Sequence, residues 1–229
     1  RLSAEPIPVP EVRYAAPQLT GRGAPRIAMY KGWQETMPAG WTRWVFDRHG
    51  LKYDTLHNAR IRQGNLRRDY DVIVFQDQSP RSILEGWTGD RMPPEFRGGI
   101  GDEGVAALRR FVEEGGRVVA IESAAEFAID AFDLQVRDLT DGVPPQEFYI
   151  PGSILSLRLD PAHPIARGLD EASIAWFWRS STAYETTDPR VRVVARYGDG
   201  DPRLSGWVLG ADRIAGKAAI LEARIGRGS

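Results

Sequence analysis

No cysteine occurs in the 229 residues. That removes disulfides, thiolate nucleophiles, dithiol redox pairs and cysteine-based zinc sites at once. It does not locate the protein, because chains without cysteine suit reducing and oxidising compartments alike. Net charge is nearly absent as well: 30 Lys and Arg face 31 Asp and Glu, a balance of −1. The basic excess of a dedicated nucleic-acid binder is therefore missing. Long apolar runs are missing too. The longest is Ile174 to Trp178, against roughly 20 residues needed to cross a bilayer. Neither nucleic acid nor membrane is expected as a partner. Histidine is scarce, with only His49, His57 and His163. Three positions after them stand Lys52, Arg60 and Ala166, so the one-turn ligand pair of a helix-borne zinc site is lacking, and no metal or cofactor is expected in this chain.

What is present suits one large globular domain. The chain opens on Arg1 without Met or a charged-then-apolar leader, as a piece of a longer polypeptide or a mature form would. Pro6, Pro8, Pro10, Pro17 and Pro25 recur without hydrophobic period, so residues 1–25 read as a Pro-rich linker. From 26 to 229 a single domain is expected. Strand candidates are 26–30, 51–56, the continuous apolar Val72–Phe75 and 117–121. Helices are predicted over 39–49, stopped by Gly50, over 102–114, with an acidic first turn and Gly115-Gly116 at its end, and over 122–132. Alternation of this kind is that of a doubly wound, mainly parallel α/β sheet. The second half reads as β-rich, with strands at 153–159, 174–179, 191–197, 205–209 and 217–224. Residues 225–229 read as a turn that feeds a further strand, so the domain is expected to lack its last one. Residues 76–101, with three prolines and five glycines, read as a long irregular stretch of the kind that carries function.

In such sheets ligands gather outside the carboxyl ends of the strands. Three ends here carry polar or aromatic groups: Trp33 after the first strand, Asp77, Gln78, Ser79 and Arg81 after the third, and Glu122 with Ser123 after the fourth. These seven form the candidate ligand-binding set, with Glu122 expected to find a donor such as Arg81 or a backbone N–H. Ser123 stands where a nucleophile elbow would, but the first glycine of G-x-S-x-G is missing and the only later histidine, His163, lies in what reads as a surface turn. Ser123 also completes a capping box with Glu126, and both readings stand. Ser79-Pro80 equally suits a helix start. The polar cluster as a whole is either a ligand site or an anchor for loop 76–101. Trp33 and Trp87 sit in Gly-flanked loops suited to stacking on a ligand, whereas Trp41 and Trp44, three apart, read as core. Gly98-Gly99-Ile100-Gly101 lacks the Lys and Ser/Thr of a phosphate loop.

The strings Lys31-Gly32-Trp33, Gly40-Trp41-Thr42-Arg43-Trp44, Tyr70 to Val74, Gln78 to Leu84, Gly104 to Leu108, Pro151 to Leu155 and Leu204 to Trp207 resemble, in order and spacing, the C-terminal region of bacterial M14-type zinc carboxypeptidases. The likeness covers nearly the whole chain after the linker. His163 to Leu169 is also similar to a segment of trehalose-utilisation-type proteins. The resemblance implies a flavodoxin-like, class I glutamine-amidotransferase-like domain appended to a peptidase. It further implies a secreted or periplasmic bacterial hydrolase, with zinc and peptide hydrolysis in a preceding domain that would be this domain's partner. Amidotransferase chemistry needs a cysteine that this chain lacks. The resemblance thus leaves a non-catalytic accessory domain that stabilises the peptidase or binds a peptide or cell-wall ligand. The alternative is a degenerate serine hydrolase using Ser123.

Overall fold

The computed structural model describes residues 23–34, 36–179 and 181–229, so most of the Pro-rich segment expected at 1–25 lies outside the described residues. Four short strands form one parallel sheet: β1 (Ile27–Tyr30), β2 (Tyr53–Leu56), β3 (Val72–Phe75) and β4 (Arg117–Ala120), in the order β2-β1-β3-β4. Between them lie α1 (Met37–Arg48), then α2 (Asn58–Arg62) and α3 (Leu66–Asp69), then α4 (Pro80–Leu84) and α5 (Gly101–Glu113), with α6 (Ser123–Ala131) after β4. The path from β1 to β2 runs one way across the sheet, and those from β2 to β3 and β3 to β4 run the other. Right-handed crossovers therefore put α1 on one face and α2 to α5 on the opposite one. Burial follows that division. Ala28, Tyr30, Ile73 and Phe75 share a core with Ile61, Leu108, Phe111 and Phe127. Met29 and Val74, of the other parity, are buried on the α1 side. The chain is a doubly wound α/β protein with a flavodoxin-like strand order.

Sequence signals set the helix ends. Thr36 caps α1 by accepting from Ala39 N, and Gly50 follows its last turn at φ +65°. Trp41 and Trp44 correct the expectation of core: they are 63% and 57% exposed, edge to face on the outer side of α1. Their spacing fits a helix stripe, but the stripe points outward because Ala39 takes the buried position. The stretch 76–101 is also less irregular than its prolines suggest. Ser79 accepts from Ser82 N at 3.2 Å, and Pro80 opens α4 at its first position.

The start of the sheet is held by charge. Arg26, just before β1, donates from its backbone N and its guanidinium to Asp71, just before β3, at 2.9–3.0 Å. Arg67 adds a contact of 2.6 Å. These hydrogen bonds hold the Asp71 carboxyl far below its ordinary range. A depressed carboxyl adds stability above its unfolded-state pKa and loses it on acidification. Asp71→Asn is expected to cost about 1 kcal/mol at pH 7, after allowance for solvent screening. The difference from the parent should vanish as pH falls from about 4 towards 1, checked by urea unfolding across that range.

The second half is an antiparallel sheet of β5 (Val136–Asp138), β6 (Ser153–Leu159), β7 (Ala172–Phe177), β8 (Tyr184–Thr186), β9 (Val191–Tyr197), β10 (Arg203–Ser205) and β11 (Ala218–Ala223). Its order is β10-β6-β9-β11-β8-β5, with β7 on β6. Leu155, Leu157, Phe177, Ala195 and Ile214 form its separate core. The strand expected over 205–209 is instead Arg203–Ser205, because Gly206 (φ +93°) breaks the run and Leu209 pairs only with Tyr149.

Candidate functional site

The flavodoxin-like order reverses between β1 and β3, and their carboxyl ends are tied together. Gln76 Nε2 donates to the Tyr30 carbonyl at 2.7 Å, and the Tyr30 hydroxyl donates to Asn58 Oδ1 at 2.8 Å. Burial raises the Tyr30 phenol above its usual range and keeps it neutral. Trp33 does not stand open. It stacks on His57 (4.2 Å, 6°), meets the edge of Phe96 at 4.7 Å, and its carbonyl accepts from Trp87 Nε1 at 3.2 Å. His57 Nδ1 in turn donates to the Lys31 carbonyl at 2.8 Å. One ring face of Trp33 is thus taken by the protein itself.

Gln78 behaves differently. It is 8% exposed, yet among the described residues its Nε2 has no hydrogen-bond partner. A Cβ on Gly32 would stand 3.2 Å from the Tyr30 hydroxyl and 3.3 Å from that nitrogen, so glycine here leaves both side chains room at the end of β1. A buried donor left unpaired costs about 1–3 kcal/mol, and it invites an acceptor from a ligand.

The ends of β3 and β4 also meet. Asp77 Oδ1 accepts from the backbone N of Ser123 at 3.1 Å. The capping box foreseen for Ser123 and Glu126 is therefore corrected. Ser123 is the first residue inside α6, the cap position is Glu122, and Asp77 satisfies the free N–H from another strand. Arg81 is a second correction. Its guanidinium pairs with Glu85 one turn along α4 at 2.9 Å, well exposed, so it is Glu85 that Arg81 answers. Ser79 likewise serves α4 as its cap. Of the seven sequence candidates, Asp77, Gln78, Glu122 and Ser123 lie in the joined strand ends, Trp33 flanks them, and Ser79 and Arg81 belong to α4.

Glu122 has the least comfortable backbone of the four. Its φ of 53° and ψ of −123° lie outside the left-handed helical well that Asn65 occupies (φ 51°, ψ 34°). Non-glycine residues hold such a conformation only under constraint from their surroundings. The sharp turn from β4 into α6 is thus a true elbow, with a carboxylate at its apex. Other carboxylates gather near it. Burial, then Asp138, Asp141, Asp130 and Asp77, push the Glu126 carboxyl above its ordinary value. A helix N-terminus normally favours anions, but so many carboxylates cancel that preference. Because a raised carboxyl pKa weakens folding as pH rises through it, Glu126→Gln is expected to raise the melting temperature at pH 7 by about 1–2 °C. The gain should disappear at pH 4, as thermal scans at the two pH values would show.

From Glu122 a groove of 450 Å³ runs down beside β4, lined by α6 and by Thr182, Tyr184, Tyr197 and Trp176 from the second half. Burial pushes the Tyr184 hydroxyl up to about 12. These second-half residues carry no motif in the sequence; only packing of the two sheets brings them here. A larger hollow, 1020 Å³, lies on the outer face of β5, β8 and β11. It is an open surface on which Glu185 pairs with both Arg137 and Lys217, and it shares Val136, Tyr184 and Val191 with the groove. His163 corrects another expectation. Its turn is present, but the ring is 1% exposed, and Nε2 faces Glu222 Oε2 at 3.2 Å. Among the described residues no three His, Asp or Glu cluster as metal ligands, and no helix is long and apolar enough to cross a membrane.

No protein-family profile and no curated protein matches the chain. Among solved structures, it is similar to a ThuA-like protein from Bacteroides uniformis (14% identity, 93% of this chain and 87% of that one, TM-score 0.47). It is also similar to a GMP synthase component from Thermoplasma acidophilum (10%, 77% and 75%, 0.45). A glutamine amidotransferase from Thermotoga maritima is a third (10%, 76% and 67%, 0.42). The fold class rests on this chain's own strand order, and nothing about activity follows from these likenesses.

Proposed function

We propose that this domain binds a ligand at the joined strand ends without transforming it, as an accessory domain of a secreted or periplasmic zinc-carboxypeptidase-like polypeptide. The observation that carries the reading is the elbow at Glu122. A constrained turn that could present a nucleophile presents a carboxylate instead, in a conformation maintained against stability. The neighbouring Ser123 has its N–H occupied by Asp77, and the one histidine that follows it in sequence is walled in against Glu222. The parentage is supported by the ordered strings named above. The ligand is of peptide character: the buried Gln78 amide, unpartnered among the described residues, calls for a carbonyl acceptor, and a peptide bond offers one.

Glu122→Gln in the polypeptide that joins peptidase and accessory domain tests this. Unchanged melting temperature with reduced peptide binding or hydrolysis is the expected result. A lower melting temperature with unaltered hydrolysis would instead make the cluster an anchor for loop 76–101.

A further inference from the structure

The free edge of β4 already carries the beginning of another strand. Ser229 N donates to the Gly116 carbonyl at 3.3 Å, and Val118 N donates to the Ser229 carbonyl at 2.9 Å. That pair of bonds, one to the residue before Arg117 and one from the residue after it, is the pattern of a parallel ladder with Ser229 opposite Arg117. On the other side of β4, Arg117 N and Ile121 N donate to Asp71 and Phe75 of the β3 side. By alternation, the Val118 carbonyl and both backbone groups of Ala120 face outward, past Ser229, along the open edge. Beyond Ser229 no backbone group among the described residues meets them. The groove beside this edge is lined mainly by apolar side chains. Ala128 and Ile129 of α6, with Phe132 just after it, form one wall, and Ile220 and Leu221 of β11 the other. Val119 is 44% exposed and Trp176 59%. An unpaired, apolar sheet edge is a liability that folded proteins cover.

We infer that this slot is filled by a fifth parallel strand, supplied by the polypeptide running on from Ser229. Ser229 fixes its entry point, direction and register. The edge offers one acceptor at Val118, then a donor and an acceptor at Ala120, so about four residues at 3.3 Å each span the remainder of β4. With α6 on one side and β11 on the other, the strand would be covered on both faces, so a near-continuous apolar run is required rather than an alternating one. The slot runs along the side of β4 and reaches Glu122 only at its far end, and the Ala120 amide reports on the slot rather than on ligand binding. The two proposals therefore stand or fall separately.

Hydrogen exchange at the Ala120 amide reads the slot directly. It is compared in the 229-residue chain and in the same chain continued past Ser229 through its own next residues. Ala120 is expected to exchange about a hundredfold more slowly in the longer chain. The added residues should resist proteolysis, and Trp176 emission should shift to the blue. Equal exchange in both chains would overturn the inference, as would added residues that are cut at once. Slow exchange in the shorter chain that grows with protein concentration would also overturn it, because a second copy would then be the occupant.

Discussion

Phe127→Ala is expected to cost about 3–5 kcal/mol in urea unfolding, a large part of the 5–15 kcal/mol that holds a domain together. Phe127 is almost fully buried and is the side chain through which α6 grips the parallel sheet. Its ring centroid lies 5.4 Å from that of Phe75, which lies 4.7 Å from Tyr30. Truncation opens a cavity between helix and sheet that neighbouring strands are too well hydrogen-bonded to close. Phe127→Leu should recover most of the loss, since it refills the greater part of the volume. A cost below about 1 kcal/mol for the alanine variant would mean that α6 is not clamped this way. It would then have no rigid base from which to hold Glu122.

The second large effect has the opposite sign. Glu122→Gly is expected to stabilise the protein while weakening ligand binding. A non-glycine residue in a sparsely populated backbone region costs about 1–3 kcal/mol. Glycine removes that strain but costs about 0.5–1 kcal/mol in chain entropy. The net gain of about 1 kcal/mol corresponds to about 2–4 °C in melting temperature for a domain of this size. Two controls separate backbone from charge. Glu122→Gln keeps the strained Cβ and removes the charge, and Glu122→Ala keeps the Cβ and removes the side chain; neither should give the glycine's gain. If all three stabilise equally, repulsion from Asp77 and Glu126 is the cause and the strain argument fails.

The parallel sheet was legible because its signals are local. Val72–Phe75 is a continuous apolar run, α5 has an acidic start, a periodic apolar face and two glycines at its end, and Gly50 closes α1. The short helices α2 and α3 were not legible. At five and four residues they carry too few turns for a period, and tertiary contacts of Ile61 and Leu66 hold them. Trp41 and Trp44 misled because helical spacing gives a face but not the direction in which it points. Within the site, the strand-end positions of Asp77, Gln78 and Glu122 followed from topology alone. The positive φ of Glu122 did not, because nothing in Ile121-Glu122-Ser123 marks it, and glycine would be the ordinary choice there. Asp77 as the acceptor for Ser123 joins residues 46 apart in sequence, and His163 looked like a surface residue because its Pro-flanked turn gives no sign that Glu222 of β11 packs against it.

The central claim is that the β4–α6 elbow binds rather than cuts, and an active-site-directed fluorophosphonate tests it most directly. The folded domain, treated with the reagent and analysed by intact mass and peptide mapping, is expected to carry no adduct at Ser123. It should give the same spectrum as Ser123→Ala. Stoichiometric modification of Ser123, lost on Ser123→Ala and on unfolding, would contradict the account and make the domain a serine hydrolase.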